Sequence, residues 1–186
     1  MSGRIGDCSA AERNKRPIFD ALAPWLVDRP RVLEVGAGDA THARHAHALM
    51  PALFWQTSEA PGHHRRLVAA IADGGDSGLP PPLVLDVRGA WPAQKYDAIY
   101  GANVAHIMSW TAVEALFAGA TAHLAGNGLL CLYGPFLMDG AAVAPGNSEF
   151  DAALRARDPE MGLRRVGALD ELATACAFER VADLSM

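Results

Sequence analysis

Four short stretches of this sequence carry residue types that could grip a nucleoside. In Glu34-Val-Gly36-Ala-Gly38-Asp39-Ala40-Thr41, two glycines let the backbone turn tightly and approach a ligand, and the N–H groups of a helix start would follow. Glu59 comes roughly 20 residues later, the spacing at which an acidic side chain accepts hydrogen bonds from the two hydroxyls of a ribose. Asp86 could accept from an adenine amino group, with Val87 as an apolar edge. Gly101-Ala-Asn103-Val-Ala-His106 offers an amide and an imidazole beside the reactive end of such a ligand. A glycine turn alone is an ordinary link between strand and helix, and a lone Glu at a strand end is usually solvated. Acidic or glycine features after three successive strands, with a polar loop after a fourth, together describe an adenosine site. Glu34, Gly36, Gly38, Glu59, Asp86, Val87 and Asn103 are the candidate binding residues. The dinucleotide pattern GxGxxG fails, because Thr41 stands at its third glycine.

Those residues need a scaffold that brings strand ends to one rim. Short apolar runs read as strands at Arg31–Val35, Leu53–Ser58, Leu83–Asp86, Tyr96–Tyr100 and Leu129–Tyr133, with a sixth over Phe178–Leu184. Helical periodicity runs over Ala11–Leu26, Thr41–Met50, Gly62–Ala72, Thr111–Leu124, Ser148–Ala156 and Leu169–Ala177. Thr111-Ala-Val-Glu114 has capping-box spacing, and Asn127-Gly128 reads as a turn. Strands alternating with helices predict a doubly wound, mostly parallel α/β sheet with helices on both faces, whose ligands bind at the carboxyl ends of the strands. Residues 1–10 read as a flexible arm and 11–186 as one domain.

Composition narrows the function. The chain has 186 residues, 51% hydrophobic and 20% charged, which excludes a disordered chain. Its 16 Lys and Arg against 21 Asp and Glu give a formal charge of -5, a poor balance for general binding to nucleic acid or anionic membrane. Cys8, Cys131 and Cys176 form no CxxC and no disulfide framework, so a cytoplasmic setting is expected. There is neither a signal-peptide run nor a membrane-length apolar stretch.

Other side chains have two readings. His106 could take a proton near neutral pH or be a structural histidine. Tyr133 and Phe136 could wall a substrate pocket or be plain core. Arg155, in Leu154-Arg-Ala-Arg157, could bind an acidic substrate or be a surface ion-pair residue. His42, His45 and His47 do not share one helix face and lack completing ligands, so no metal site is expected. No GxSxG occurs.

Further segments carry a family likeness: Glu12-Arg-Asn-Lys-Arg-Pro-Ile18, Val32-Leu-Glu-Val-Gly-Ala-Gly38, Trp55-Gln56, Leu85-Asp-Val87, Ala102-Asn103 with His106-Ile107, Leu132-Tyr-Gly-Pro-Phe136, and Arg157-Asp-Pro159. With these the chain resembles the class I S-adenosylmethionine-dependent methyltransferases, and more narrowly the methyltransferase-like protein 26 family with its bacterial relatives. The resemblance implies S-adenosylmethionine in a cleft formed by the Gly36–Gly38 turn, Glu59, Asp86 and the Asn103 loop. It also implies that Arg13 and Asn14 form a lid over the cofactor's carboxylate or an anionic substrate; a solvated helix start is the other reading. Asp39-Ala40 and Glu59-Ala-Pro61 depart from the family's usual Thr-Gly and Asp. The family also continues past the position of Met186, so either the sequence is cut short or one sheet edge lacks its last strand. The expected function is methyl transfer to an oxygen or nitrogen of a small molecule, with His106 and Asn103 catalytic. The alternative is a cofactor-binding protein of the same fold with another catalytic or regulatory role. A nicotinamide oxidoreductase is opposed by Thr41.

Overall fold

The computed structural model describes residues 10–75 and 78–185. Five strands form one parallel sheet: β1 (Arg31–Val35), β2 (Phe54–Glu59), β3 (Leu83–Val84), β4 (Tyr96–Ala102) and β5 (Leu124–Tyr133), in the order β3-β2-β1-β4-β5. The chain enters at β1, winds outward to β3, then crosses to β4 on the other side. The switch point therefore lies between β1 and β4, where a doubly wound sheet opens its crevice.

Both faces of the sheet are buried, which is why its inner strands carry apolar residues on both sides. One face packs Val32, Trp55, Ala98 and Tyr100 under α1 (Ala10–Leu26), α2 (Thr41–Leu49) and α3 (Pro61–Asp73). In α1 the buried residues Ile18, Leu22 and Leu26 recur every fourth position, a stripe facing the sheet. The other face packs Leu33, Val35 and Ile99 against Ala112, Leu116 and Ala120 of α4 (Trp110–His123). The chain continues through β6 (Phe136–Leu137), α5 (Pro145–Arg157), β7 (Arg164–Arg165) and α6 (Val166–Ala175), and β6 and β7 pair in a separate parallel ribbon.

Four expectations change. No strand forms over Phe178–Leu184: Phe178, Val181 and Leu184 recur every third residue, not every second, so no strand face is apolar. Arg180 there pairs with Asp170 and Asp183 at 3.2 and 3.3 Å. The cap of α4 is Ser109, whose hydroxyl accepts the Ala112 N–H at 3.2 Å; Thr111 already lies inside the helix. Asn127-Gly128 is a bulge within β5, because pairing jumps from Tyr96–Leu124 to Ala98–Leu129. Asp86 falls just beyond β3, in a turn closed by the Gly89 N–H on its carbonyl at 2.8 Å. Of the expected N-terminal arm only Ala10 is described, and it begins α1; residues 1–9, with Cys8, lie outside the described residues.

Candidate functional site

The carboxyl ends of β1, β2 and β3 are stitched into one rim. The Ala37 N–H reaches the Ser58 carbonyl at 3.0 Å, and the Leu85 N–H reaches the Glu59 carbonyl at 2.9 Å. Glu59 ends β2 with its carboxylate turned toward the glycine turn. One oxygen accepts the Gly38 N–H and the other the Ala60 N–H, each at 2.9 Å. A carboxylate has about four acceptor positions, so capacity for further donors remains.

The turn itself demands glycine. Gly36 has φ +71°, and a Cβ there would lie 2.5 Å from Val104 Cγ1. Val104 also packs on Gly101, where a Cβ would lie 2.8 Å from its Cγ2. The loop after β4 is thus wedged onto the turn after β1. Gly38 has φ +60° with nothing within 4 Å of its Cβ direction, so its side of the turn opens into space. Ala40 is left-handed too, at φ 60°, in place of a glycine and at a cost of about 1 kcal/mol. Asp39 offsets part of this by accepting the Thr41 N–H at 3.1 Å.

Glu34 sits beneath the turn and is 1% exposed. Strand alternation puts it on the face that carries Trp55 and Tyr100, so its carboxylate is spent internally. Trp55 Nε1 donates to it at 2.8 Å, and His42 Nδ1 of α2 lies 3.8 Å away, itself 3.3 Å from the Tyr100 hydroxyl. Burial, with a smaller push from Glu59 and Asp39, raises the Glu34 pKa to about 8 against the hydrogen bond from Trp55. Burial also lowers that of His42, so both are neutral at pH 7. The unfolded chain releases the Glu34 proton near pH 4.5 and the folded chain only near 8. Stability is therefore expected to fall across that window, by about 1.4 kcal/mol per pH unit from this group. Glu34→Gln keeps an acceptor for Trp55 and should flatten the slope in denaturant melts between about pH 5 and 8. An unchanged slope would mean the carboxyl is ionised in the fold.

Asp86 lies at the same rim, bound on both oxygens by Arg88, whose Nε and Nη2 donate at 3.0 and 2.9 Å. Those bonds hold its carboxylate below the usual range. Val87 is buried, and its carbonyl accepts from Trp91 Nε1 at 2.9 Å. Arg88 is a residue that strand-end reasoning missed.

Beyond β4 the site changes character. Asn103 is left-handed at φ 57°, and its N–H donates to the Tyr133 carbonyl at 2.7 Å, tying the loop to the end of β5. At Gly134 a Cβ would lie 3.5 Å from His106 Nδ1 and 3.6 Å from Asn103 Oδ1, so amide and imidazole converge on a residue without a side chain. His106 is 5% exposed and meets the edge of Phe150 at 5.3 Å. Burial first, then the charge of Arg164, lowers its pKa, leaving a neutral imidazole able to accept a proton.

These groups open on a hollow of about 830 Å3 between α1 and β5, which Asn14, Tyr133 and Phe136 also line. Arg13 is exposed on α1 and is not among the lining residues. Arg155 is placed apart: its Nε donates to Asp151 at 2.9 Å beside a second hollow shared with Arg164 and Trp110. No role was assigned from the sequence to Gly134, Val104 or Phe150, although Gly134-Pro135 right after a strand was a legible signal. Among the described residues no helix is long and apolar enough to cross a membrane, and no group of three His, Cys, Asp or Glu could hold a metal.

A similar fold occurs in solved methyltransferases. An O-methyltransferase family protein from Burkholderia thailandensis matches with TM-score 0.80 at 12% identity, over 95% of this chain and 54% of that one. Human N-acetylserotonin methyltransferase, solved in complex with S-adenosylmethionine, matches with TM-score 0.75 at 15% identity, over 91% of this chain and 48% of that one. The mitomycin 7-O-methyltransferase MmcR matches with TM-score 0.73 at 13% identity, over 89% and 48%. The chain thus spans about half the length of these structures. Its fold is the Rossmann-like fold of class I S-adenosylmethionine-dependent methyltransferases. A family model described as "Protein of unknown function (DUF938)" matches residues 7–186, and the chain belongs to that family.

Proposed function

We propose that this protein is an S-adenosylmethionine-dependent methyltransferase that methylates a hydroxyl oxygen of a small molecule. One observation carries the reading: the Gly36–Gly38 turn and Glu59 share a rim with a loop whose Asn103 and His106 face a hollow. The residues suit the cofactor, since Gly38 opens into space beside a carboxylate that retains acceptor capacity. The turn and Glu59 would hold it through backbone and ribose, Asp86 and Val87 through adenine, and Asn103 and Asn14 at the methionine end.

When bound, S-adenosylmethionine supplies a methyl group already activated on a sulfonium. The chain's work is then to align the acceptor, exclude water and remove the acceptor's proton. His106, neutral and buried, takes the hydroxyl proton; Asn103 orients the acceptor; Tyr133, Phe136 and Phe150 wall the hollow. A neutral imidazole suits a hydroxyl, which must lose its proton, whereas a neutral amine already offers a lone pair and needs no base. The narrower likeness to methyltransferase-like protein 26 and a cytoplasmic setting, resting on the unpaired Cys131 and Cys176, belong to the same proposal.

Calorimetric titration with S-adenosylhomocysteine tests the site, and transfer of labelled methyl into a metabolite extract tests the activity. No binding overturns the proposal, and binding without transfer favours the non-methylating reading. Glu59→Ala is expected to weaken binding about 100-fold, the loss of two hydrogen bonds to a charged acceptor. Undiminished affinity in that variant would remove the ribose assignment.

A further inference from the structure

The loop that carries His106 has little regular structure of its own. Ile107 and Met108 return their N–H groups to the Val104 carbonyl, both at 3.1 Å, which leaves the outward carbonyls of Ala105, His106 and Met108 to find other donors. All three are met by one strap, the segment that runs from the end of α5 into β7. Arg164 Nε donates to the Ala105 carbonyl at 3.0 Å and its Nη2 to the Met108 carbonyl, while the Gly162 N–H donates to the His106 carbonyl at 2.9 Å. The strap is anchored in turn. Asp151 of α5 accepts the Leu163 N–H at 2.7 Å, and Arg164 also closes on the Glu160 carbonyl at 2.9 Å. The guanidinium lies over the Trp110 ring, 5.9 Å from its centroid.

We infer that Arg164 is the positioning residue for His106: its forked guanidinium brackets the loop on both sides of the histidine and fixes where the imidazole stands in the hollow. The inference rests on the methyltransferase reading for its purpose, though not for its geometry. A planar fork is the group that can hold two carbonyls at a fixed separation, and an ammonium cannot reproduce that span. The nearby charge has a second effect, adding to burial in disfavouring imidazolium. From α5, Phe150 meets the ring and Asn147 lines the same hollow, neither titratable. In the shared hollow, burial holds the Tyr100 hydroxyl and the Cys131 thiol neutral, the latter pushed up to about 12. Tyr133 also lines it, and Asp183 there is paired with Arg180.

Amide hydrogen exchange and histidine NMR on the full chain test this without any methyl acceptor. Arg164→Met should speed exchange at Ile107 and Met108 at least about tenfold relative to β1 and raise the His106 pKa. Arg164→Lys keeps a cation and should show the faster exchange with the pKa still low. His106→Gln assigns the resonance. If either folded variant exchanges like wild type at Ile107 and Met108, the clamp is overturned. Titration with S-adenosylhomocysteine runs in parallel: failure of wild type to bind removes the methyltransferase reading, whereas exchange and histidine titration decide the role of Arg164.

Discussion

Replacing His106 with glutamine is expected to lower methyl transfer by about 10²–10⁴-fold while leaving S-adenosylhomocysteine affinity within about twofold. The size follows from what general bases contribute when they take a proton in the transition state. Unchanged affinity follows from the place of His106, which faces Gly134 and Phe150 and makes no bond to the Gly36–Gly38 turn or Glu59. Glutamine fills a similar volume and can hydrogen-bond, yet cannot accept the proton, so the variant separates chemistry from packing. Its residual rate should climb with pH as the acceptor hydroxyl ionises unaided, while the wild-type rate levels off above the depressed pKa of His106. Single-turnover transfer of labelled methyl to an acceptor found in a metabolite extract measures both. Full activity in His106→Gln would make the residue structural, the other reading the sequence allowed.

The rim was legible because a parallel sheet turns sequence adjacency into spatial adjacency. A residue just after each strand must reach the same edge, so Gly36, Glu59, Asp86 and Asn103 could be grouped without knowing any contact. The first helix was legible from Ile18, Leu22 and Trp25 with Leu26 beside them, although Trp25 is only half-buried. What escaped was set by distant partners. Glu34 precedes a glycine turn and so reads as a ligand residue, but strand alternation points it at Trp55 and His42 under the sheet. Arg155, read as an anion binder or a surface ion-pair residue, pairs with Asp151 one helical turn earlier. Arg164 reaches the Ala105 carbonyl across 59 residues, through a two-stranded ribbon too short to leave a pattern. The segment Phe178–Leu184 misled because apolar content was counted without its period.

The second large effect concerns Gly36. Gly36→Ala is expected to cost about 2–5 kcal/mol of stability: about 1–2 for a side chain at positive φ and about 1–3 for overpacking against Val104. Gly38→Ala shares only the first cost, since nothing lies within 4 Å of its Cβ direction, and should lose about 1–2 kcal/mol. The comparison isolates the clash, and a double-mutant cycle isolates its partner. With Val104 Cγ1 gone the next atom is Val104 Cβ at 3.8 Å, an ordinary contact. Val104→Ala should therefore recover about 1–3 kcal/mol in the Gly36→Ala background beyond its own effect in wild type. Denaturant melts of the four proteins read that coupling directly, and additive losses would show that the two loops do not touch. A real coupling has a consequence for the chemistry. Val104 lies two residues before His106 and packs on the turn proposed to cradle the cofactor, so a change on either side displaces the other. Gly36→Ala should then lower the rate of methyl transfer beyond its loss of S-adenosylhomocysteine affinity, and Val104→Ala should restore part of both.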